Sequence, residues 1–536
     1  MYRILCEAQY IVKTFFRVPE TGEAFFTGAS ASCETLAAGK PGVSIGYAGF
    51  APDLRQDSVP FVTLGIMPVR RSLLELAALI RCRGLSPVEV VQASLQQIER
   101  VNPSINAFME VCAEEALVAA RSAEDLVLKD GDLPALLGVP LTLKDCFDLA
   151  GHATRTGSLL REHEIARTDS WAAARFKAAG AVIVGKTSTP EFLMNYETDN
   201  AYIGRTNNPW NLERTSGGSS GGEAAAIVSF CSAGGIGSDG GGSIREPAHF
   251  CGICGLKPTP GRVPLTGHWP VSGHPTGFMG VGGPMARTAA DVRALFQVLA
   301  GDDPGDPFSV PLPLTGAVRL PRRVAVLEQY GDTPIQPAVR EAVRMAAKLL
   351  SDMGIDVVPF DFDLMRGSHE LWRYFFVDVL NVLLRALIDG REERCHWTGL
   401  ELIDTVKGQA PPSMLDLVVK LGERDAMRAR LLAGMRETPV LLMPGFGVTA
   451  FPHRQRVFST PQGDITLMDA VRLVSPWNLF GMPSMTVPVS FDADGMPAGV
   501  QFVGLPWTEE KLLELAVRFE EARGVFPSPP LGPPIS

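Results

Sequence analysis

Residues 215–260 read TSGGSSGGEAAAIVSFCSAGGIGSDGGGSIREPAHFCGICGLKPTP. Glycine loses more backbone entropy on folding than any other residue, about 0.5–1 kcal/mol relative to Ala within regular structure. Two glycine clusters in one stretch therefore point to a backbone that must approach something closely. Each cluster holds a serine, Ser219 in the first and Ser243 in the second. SSGGEAAAIVSFC reads as a helix, and Ser220-x-x-Glu223 fits the capping-box pattern at its start. That makes Ser220 the structural serine of the pair and leaves Ser219 for chemistry. Upstream, GVPLTLKD (138–145) reads as a strand, with Leu141 and Leu143 on one side and Thr142 and Lys144 on the other.

Working outward, strands and helices alternate. SWAAARFKAAG is a predicted helix and AVIVG a buried strand; RRVAVLEQY, PVLLMPG, MPSMTVPVS and GVQFVG are strands, and LLELAVRFEEA closes as a helix. Such alternation predicts an α/β fold, a sheet covered by helices on both faces. Ser72-x-x-Glu75 is a capping box opening an amphipathic helix, and Ser86-Pro87-Val88-Glu89 opens a second, predicted to stop at Asn102-Pro103. Residues 302–322 read as a loop, and residues 364–435 as a mainly helical insertion. Residues 1–66 lack sustained periodicity and are expected to be a loosely attached extension or to precede the natural start at Met67. One domain is expected over residues 67–525, followed by a proline-rich tail at 526–536.

Composition narrows the classes. The chain has 536 residues, 46% hydrophobic and 20% charged, with a formal net charge of −10. An acidic balance without Lys/Arg-rich runs argues against a nucleic-acid partner. The apolar runs fall far short of the ~20 residues of a membrane span, so no membrane anchor is expected. Nine cysteines without a framework pattern fit reduced thiols and a cytoplasmic location.

Several motifs match a pattern and fail its context. Gly180-AVIV-Gly185-Lys186-Thr187 satisfies the P-loop expression, yet its interior is a β-branched strand where the mechanism needs a loop. Gly235-x-Gly237-x-x-Gly240 satisfies the dinucleotide fingerprint without a strand leading into it or an acidic residue about 20 positions on. Gly217-x-Ser219-x-Gly221 resembles a nucleophile elbow, but turn-like residues precede it. Cys251-GI-Cys254 has no second pair at zinc spacing and reads as buried structural thiols, with His249 a satisfied structural histidine. No metal or cofactor is expected.

The constellation that keeps its context is Lys144, Ser219 and Ser243. Cleaving an amide requires an activated nucleophile, stabilisation of the tetrahedral oxyanion and a proton for the departing amine. Lysine is a base only when neutral, and burial favours that form; Lys144 ends an apolar strand. Consecutive glycines before Ser243 can aim several N–H groups at one point.

GVPLTLKD, GAVIVGKTSTPEF, TNNPWN, SGGSSGGEAAA, GSDGGGSIREPAHFCGICGLKPT, GMPSMTVPVS and GMPAGVQFVG together resemble the amidase signature family over roughly residues 70–525. The resemblance implies a large, mixed, twisted β-sheet flanked by helices. It also implies Ser243 as nucleophile, Ser219 after a cis peptide from Gly218, Lys144 as base, and an oxyanion hole from Gly240, Gly241, Gly242 and Ser243. Leu193 lies where relatives line the acyl pocket. The family commonly has Thr, Ile or Val where this chain has Gly240. FCGICGLKP is similar to the fatty acid amide hydrolases, whose membrane anchor has no counterpart here. The expected activity is hydrolysis of a small-molecule amide, an aryl or aliphatic carboxamide, through an acyl-enzyme. The alternatives are the amide-cleaving (A-type) component of a tRNA-dependent amidotransferase and, from another class, a nucleotide-binding protein. Oligomeric state stays open, a homodimer included.

Overall fold

The structure, a computed structural model, describes residues 68–129, 131–271, 277–316 and 318–530. The expectation for residues 1–66 lies outside the described residues, as does most of the expected tail. Strands β1 (Phe108–Val111), β2 (Pro140–Lys144), β3 (Val182–Thr187), β4 (Gly234–Asp239), β5 (Cys254–Lys257) and β6 (Val281–Ala286) come from the first half of the described chain. Strands β7 (Arg323–Val326), β8 (Asp356–Pro359), β9 (Val440–Pro444), β10 (Ser484–Phe491) and β11 (Pro497–Gly504) complete one eleven-stranded sheet. Its spatial order is β1-β3-β2-β4-β6-β5-β10-β11-β9-β7-β8. Strands β3, β2 and β4 run parallel, as do β9, β7 and β8, while the pairs between them are antiparallel. The sheet is mixed, as expected.

Side-chain alternation divides the core into two layers. Leu141, Leu143 and Ile183 pack with Val292, Leu295 and Phe296 of the helix Ala289–Leu299 and with Leu512 and Leu515 of the helix Glu509–Arg523. Val182 and Val184, the alternate positions of β3, pack instead with Val91 and Ile98 of the helix Pro87–Ile105 and with Ala225 and Ala226 of the helix Gly221–Val228. A period of two on the strands thus places helices on both faces. The insertion supplies the helices Ser368–Arg373, Leu380–Ile388, Trp397–Asp404 and Met414–Gly434, with a π-helical turn at Tyr374–Val379.

Two local expectations are corrected. The helix opened by Ser86 continues through Pro103 to Ile105. Proline removes one N–H from the last turn, and Asn106 closes the helix instead, with φ 51° and its N–H on the Asn102 carbonyl. The capping box at Ser220 does not form. Its hydroxyl lies 3.3 Å from both the N–H and the carbonyl of Ser238, and Glu223 turns to Thr142 and Thr187, 2.6 Å from each hydroxyl. Ser220 remains structural by a different contact. The box at Ser72 forms as expected.

Candidate active site

Every residue of β2 is buried, and its parallel register sets Leu143 opposite Ile236 of β4. Lys144 therefore reaches the carboxyl ends of the parallel strands β2 and β4 beside Ser238, the end at which parallel α/β strands place their ligands. Its Nζ lies 2.7 Å from Ser219 Oγ, 3.0 Å from Ser238 Oγ and 3.4 Å from the Ser238 carbonyl. Burial lowers the Lys144 ammonium from its ordinary value to about 8, against the opposing pulls of Cys146, Asp239 and Glu223. At that value roughly a tenth of the side chains are neutral at pH 7, against about one in a few thousand for an exposed lysine. The neighbouring Asp145 is occupied by Lys186, 3.0 Å away and equally buried.

The peptide bond between Gly218 and Ser219 is cis. Gly218 N–H donates to Glu246 Oε2 at 2.8 Å, and the Gly217 carbonyl accepts from Thr198 Oγ1 at 2.8 Å. Ser243 is joined to this loop through its backbone: Ser220 N–H donates to the Ser243 carbonyl at 3.1 Å. Exposure rises from 0% at Lys144 to 1% at Ser219 and 9% at Ser243, so of the three Ser243 stands nearest solvent. No hydrogen bond among the described residues joins the Ser219 and Ser243 hydroxyls.

The turn before Ser243 is built around Asp239. One carboxylate oxygen accepts from Gly242 N–H (2.8 Å), Arg245 Nη2 (2.9 Å) and Asn478 Nδ2 (2.9 Å). The other accepts from Ile244 N–H (3.1 Å) and Arg245 Nε (3.0 Å). Burial alone would raise this carboxyl, but the Arg245 guanidinium overrides it and holds Asp239 well below the usual carboxylate range. Gly242 has φ 120°, a conformation that L side chains rarely adopt, and a Cβ there would meet Val474 at 2.7 Å. Trp372 Nε1 donates to the Gly240 carbonyl at 3.0 Å, and Tyr196 Oη to the Gly241 carbonyl at 2.8 Å. In a trans peptide the carbonyl and the following N–H point in opposite directions. The Trp372 bond therefore turns the Gly241 N–H away from the indole. Of the four N–H groups expected to converge, that of Gly242 is taken by Asp239; those of Gly240, Gly241 and Ser243 donate to no described group.

Leu193 ends the short turn Glu191–Leu193, with φ 66°, and packs against the main core while remaining half-buried. Its neighbours Phe192 and Met194 pack with Trp269 and with Leu384, Ile388 and Ile403 of the insertion. His249 is buried, its Nε2 3.0 Å from the Val448 carbonyl and its Nδ1 accepting from Gly499 N–H at 2.9 Å; burial lowers it to about 4, so it is neutral. Cys251 and Cys254 are free buried thiols pushed well above the ordinary value. The P-loop pattern falls on β3 and the dinucleotide pattern on β4 and the turn after it. Among the described residues, no group of three or more His, Cys, Asp or Glu could hold a metal ion. None of the described helices is long and apolar enough to cross a membrane.

Sequence reasoning missed Ser238, Asp239, Arg245, Glu246, Tyr196 and Trp372. Four of these stand within the glycine-rich segment 215–260, a signal that was present. Tyr196 and Trp372 arrive from 45 and 132 residues away, and only the fold brings them in.

The fold is a mixed sheet flanked by helices, and similarity to known proteins gives the kind of protein it is. The Amidase family model matches residues 89–513. The chain is 33% identical over 467 residues to an indoleacetamide hydrolase of Bradyrhizobium diazoefficiens, covering 85% of this chain and 87% of that protein. It is also 33% identical over 487 residues to the A-type component of the glutamyl-tRNA(Gln) amidotransferase of Acidothermus cellulolyticus, covering 85% and 94%. Its fold is similar to the crystal structure of a bacterial aryl acylamidase of the amidase signature family, with TM-score 0.73 and 25% identity over 84% of this chain and 96% of that one. The chain belongs to the amidase family and is an amide hydrolase.

Proposed function

We propose that the protein hydrolyses a small aryl or aliphatic carboxamide through an acyl-enzyme on Ser243. The observation that carries the reading is the 2.7 Å contact between a wholly buried Lys144 and Ser219, one residue before the Ser220 N–H that holds the Ser243 backbone. Neutral Lys144 accepts the Ser219 proton as Ser219 takes that of Ser243, and Ser243 Oγ attacks the carbonyl carbon. The hydroxyls of Ser219 and Ser243 close up in the substrate complex, since catalytic hydrogen bonds tighten there. Negative charge on the carbonyl oxygen is met by the uncommitted N–H groups of Gly240, Gly241 and Ser243. Stabilisation of this kind is worth about 2.7–4 kcal/mol per donor. The proton returns by the same route to the amine nitrogen as the C–N bond breaks. Water then attacks the ester, giving its proton to the relay and releasing the acid and free Ser243.

The similarity to the A-type amidotransferase component supports a second reading, in which the released ammonia is passed to a partner-bound acceptor. Assaying the purified chain alone on indoleacetamide, benzamide, hexanamide and glutamine separates the two. Carboxylic acid and ammonia released from a simple carboxamide are expected. Turnover of glutamine alone, and only with partner proteins added, would replace the first reading with the second.

A further inference from the structure

Gly240 has no side chain, and the place of one is taken. A Cβ on Gly240 would lie 3.0 Å from Cε2 of Phe376, and one on Gly241 would overlap the Trp372 indole. Both rings come from the insertion. Trp372 belongs to the helix Ser368–Arg373, and Phe376 to the π-helical turn that continues it. π-Turns are rare and recur at functional sites. The two rings stack at 4.7 Å with an interplanar angle of 16°, while the indole nitrogen holds the Gly240 carbonyl at 3.0 Å. The insertion is thus fastened to the turn at Gly240 by a hydrogen bond and by ring packing against bare backbone.

Exposure distinguishes the two rings. Trp372 is buried at 1%, whereas Phe376 and Gly240 are both half-buried. Phe376 also packs against the buried cluster that holds Phe192, Met194, Trp269 and Leu384, so its surroundings beside the turn are aromatic and apolar. Phe376 thus borders the turn at Gly240, beside which the carbonyl of the proposed reaction would sit.

We propose that Phe376, admitted by the missing side chain of Gly240, is a specificity-determining residue that selects aryl carboxamides by stacking against their ring. The proposal rests on the amide-hydrolase reading above and narrows it. Ring pairs in offset or edge geometry contribute about 0.5–1.5 kcal/mol beyond the area they bury, a rough factor of two to ten that an alkyl chain does not gain. A methyl group at position 240 would press on Phe376 Cε2 at 3.0 Å and make the ring give by a few tenths of an ångström, so the two positions are energetically coupled.

The test compares kcat/KM for 2-phenylacetamide and benzamide with that for hexanamide. The proteins are the wild type, Phe376→Leu, Phe376→Ala, Gly240→Ala and the Gly240→Ala/Phe376→Ala double variant, with thermal melts run in parallel. Phe376→Leu keeps an apolar side chain of similar bulk and carries the test if the alanine variant fails to fold. The aryl-to-alkyl ratio is expected to fall about two- to tenfold in Phe376→Leu. Gly240→Ala is expected to lower the aryl rates less in the Phe376→Ala background than in the wild type. An unchanged ratio in Phe376→Leu, in an enzyme that hydrolyses amides, overturns the proposal and leaves the amide-hydrolase reading standing. A wild type that hydrolyses none of the three amides overturns both.

Discussion

The proposed role of Lys144 as base depends on its position, since the same side chain in water would be almost wholly protonated. Its place at the end of a buried strand was legible from the apolar pattern of GVPLTLKD, and so were both serines from their glycine clusters. Ser238 stands in the same glycine-rich segment, but its contact with the Lys144 ammonium was not legible, because that depends on the parallel register of β2 and β4. With Lys144 lowered by burial to about 8, the active neutral form increases as pH rises. kcat/KM on an amide is therefore expected to climb about tenfold per pH unit below that value and to level off above it. Lys144→Ala should remove this limb and cut the rate by about three orders of magnitude. Amides should suffer more than the matching esters, because an amine leaves only with a proton. A pH–rate series on both substrate types checks this; a limb that persists in Lys144→Ala, with equal losses for ester and amide, would make Lys144 structural.

At the scale of elements, helices with a cap or proline at their start were legible and the glycine-rich strands were not. GGIGSD forms β4 in the interior of the sheet although glycine disfavours strands. The cause is close approach: a Cβ on Gly235 would overlap the Glu223 carboxylate, and one on Gly237 would meet Ser220 Oγ at 2.8 Å. Capping at Ser220 failed for the same reason, since a buried Glu223 finds better partners in two strands than at its own helix start. The turn after β4 holds its shape through Asp239 and Arg245, both fully buried and 2.9 Å apart. Removing one partner leaves the other charge stranded away from water. Asp239→Ala is expected to cost about 3–5 kcal/mol in urea unfolding and to lose activity even where it stays folded, because the Gly242 and Ile244 N–H groups lose their acceptor. A loss below about 1 kcal/mol, typical of an exposed pair, would show that the turn does not depend on this pair.

For the whole molecule, strand–helix alternation was enough for the α/β class and for helices on both faces. Strand order was not legible, because the sheet brings distant segments together: β10 joins β5 to β11, and β9 joins β11 to β7. The insertion's helical character was visible, but its attachment to Gly240 through Trp372 rests on packing that no periodicity encodes. The site is likewise a product of long-range assembly, with Asn478 reaching Asp239 from 239 residues away. These contacts build the turn that leads into Ser243, the proposed carrier of the acyl group. Treating the whole protein with a fluorophosphonate and measuring its intact mass, then mapping the modified peptide, tests that role most directly. One adduct per chain is expected, located on Ser243 and absent from Ser243→Ala; an adduct on Ser219 that persists in Ser243→Ala would instead make Ser219 the nucleophile.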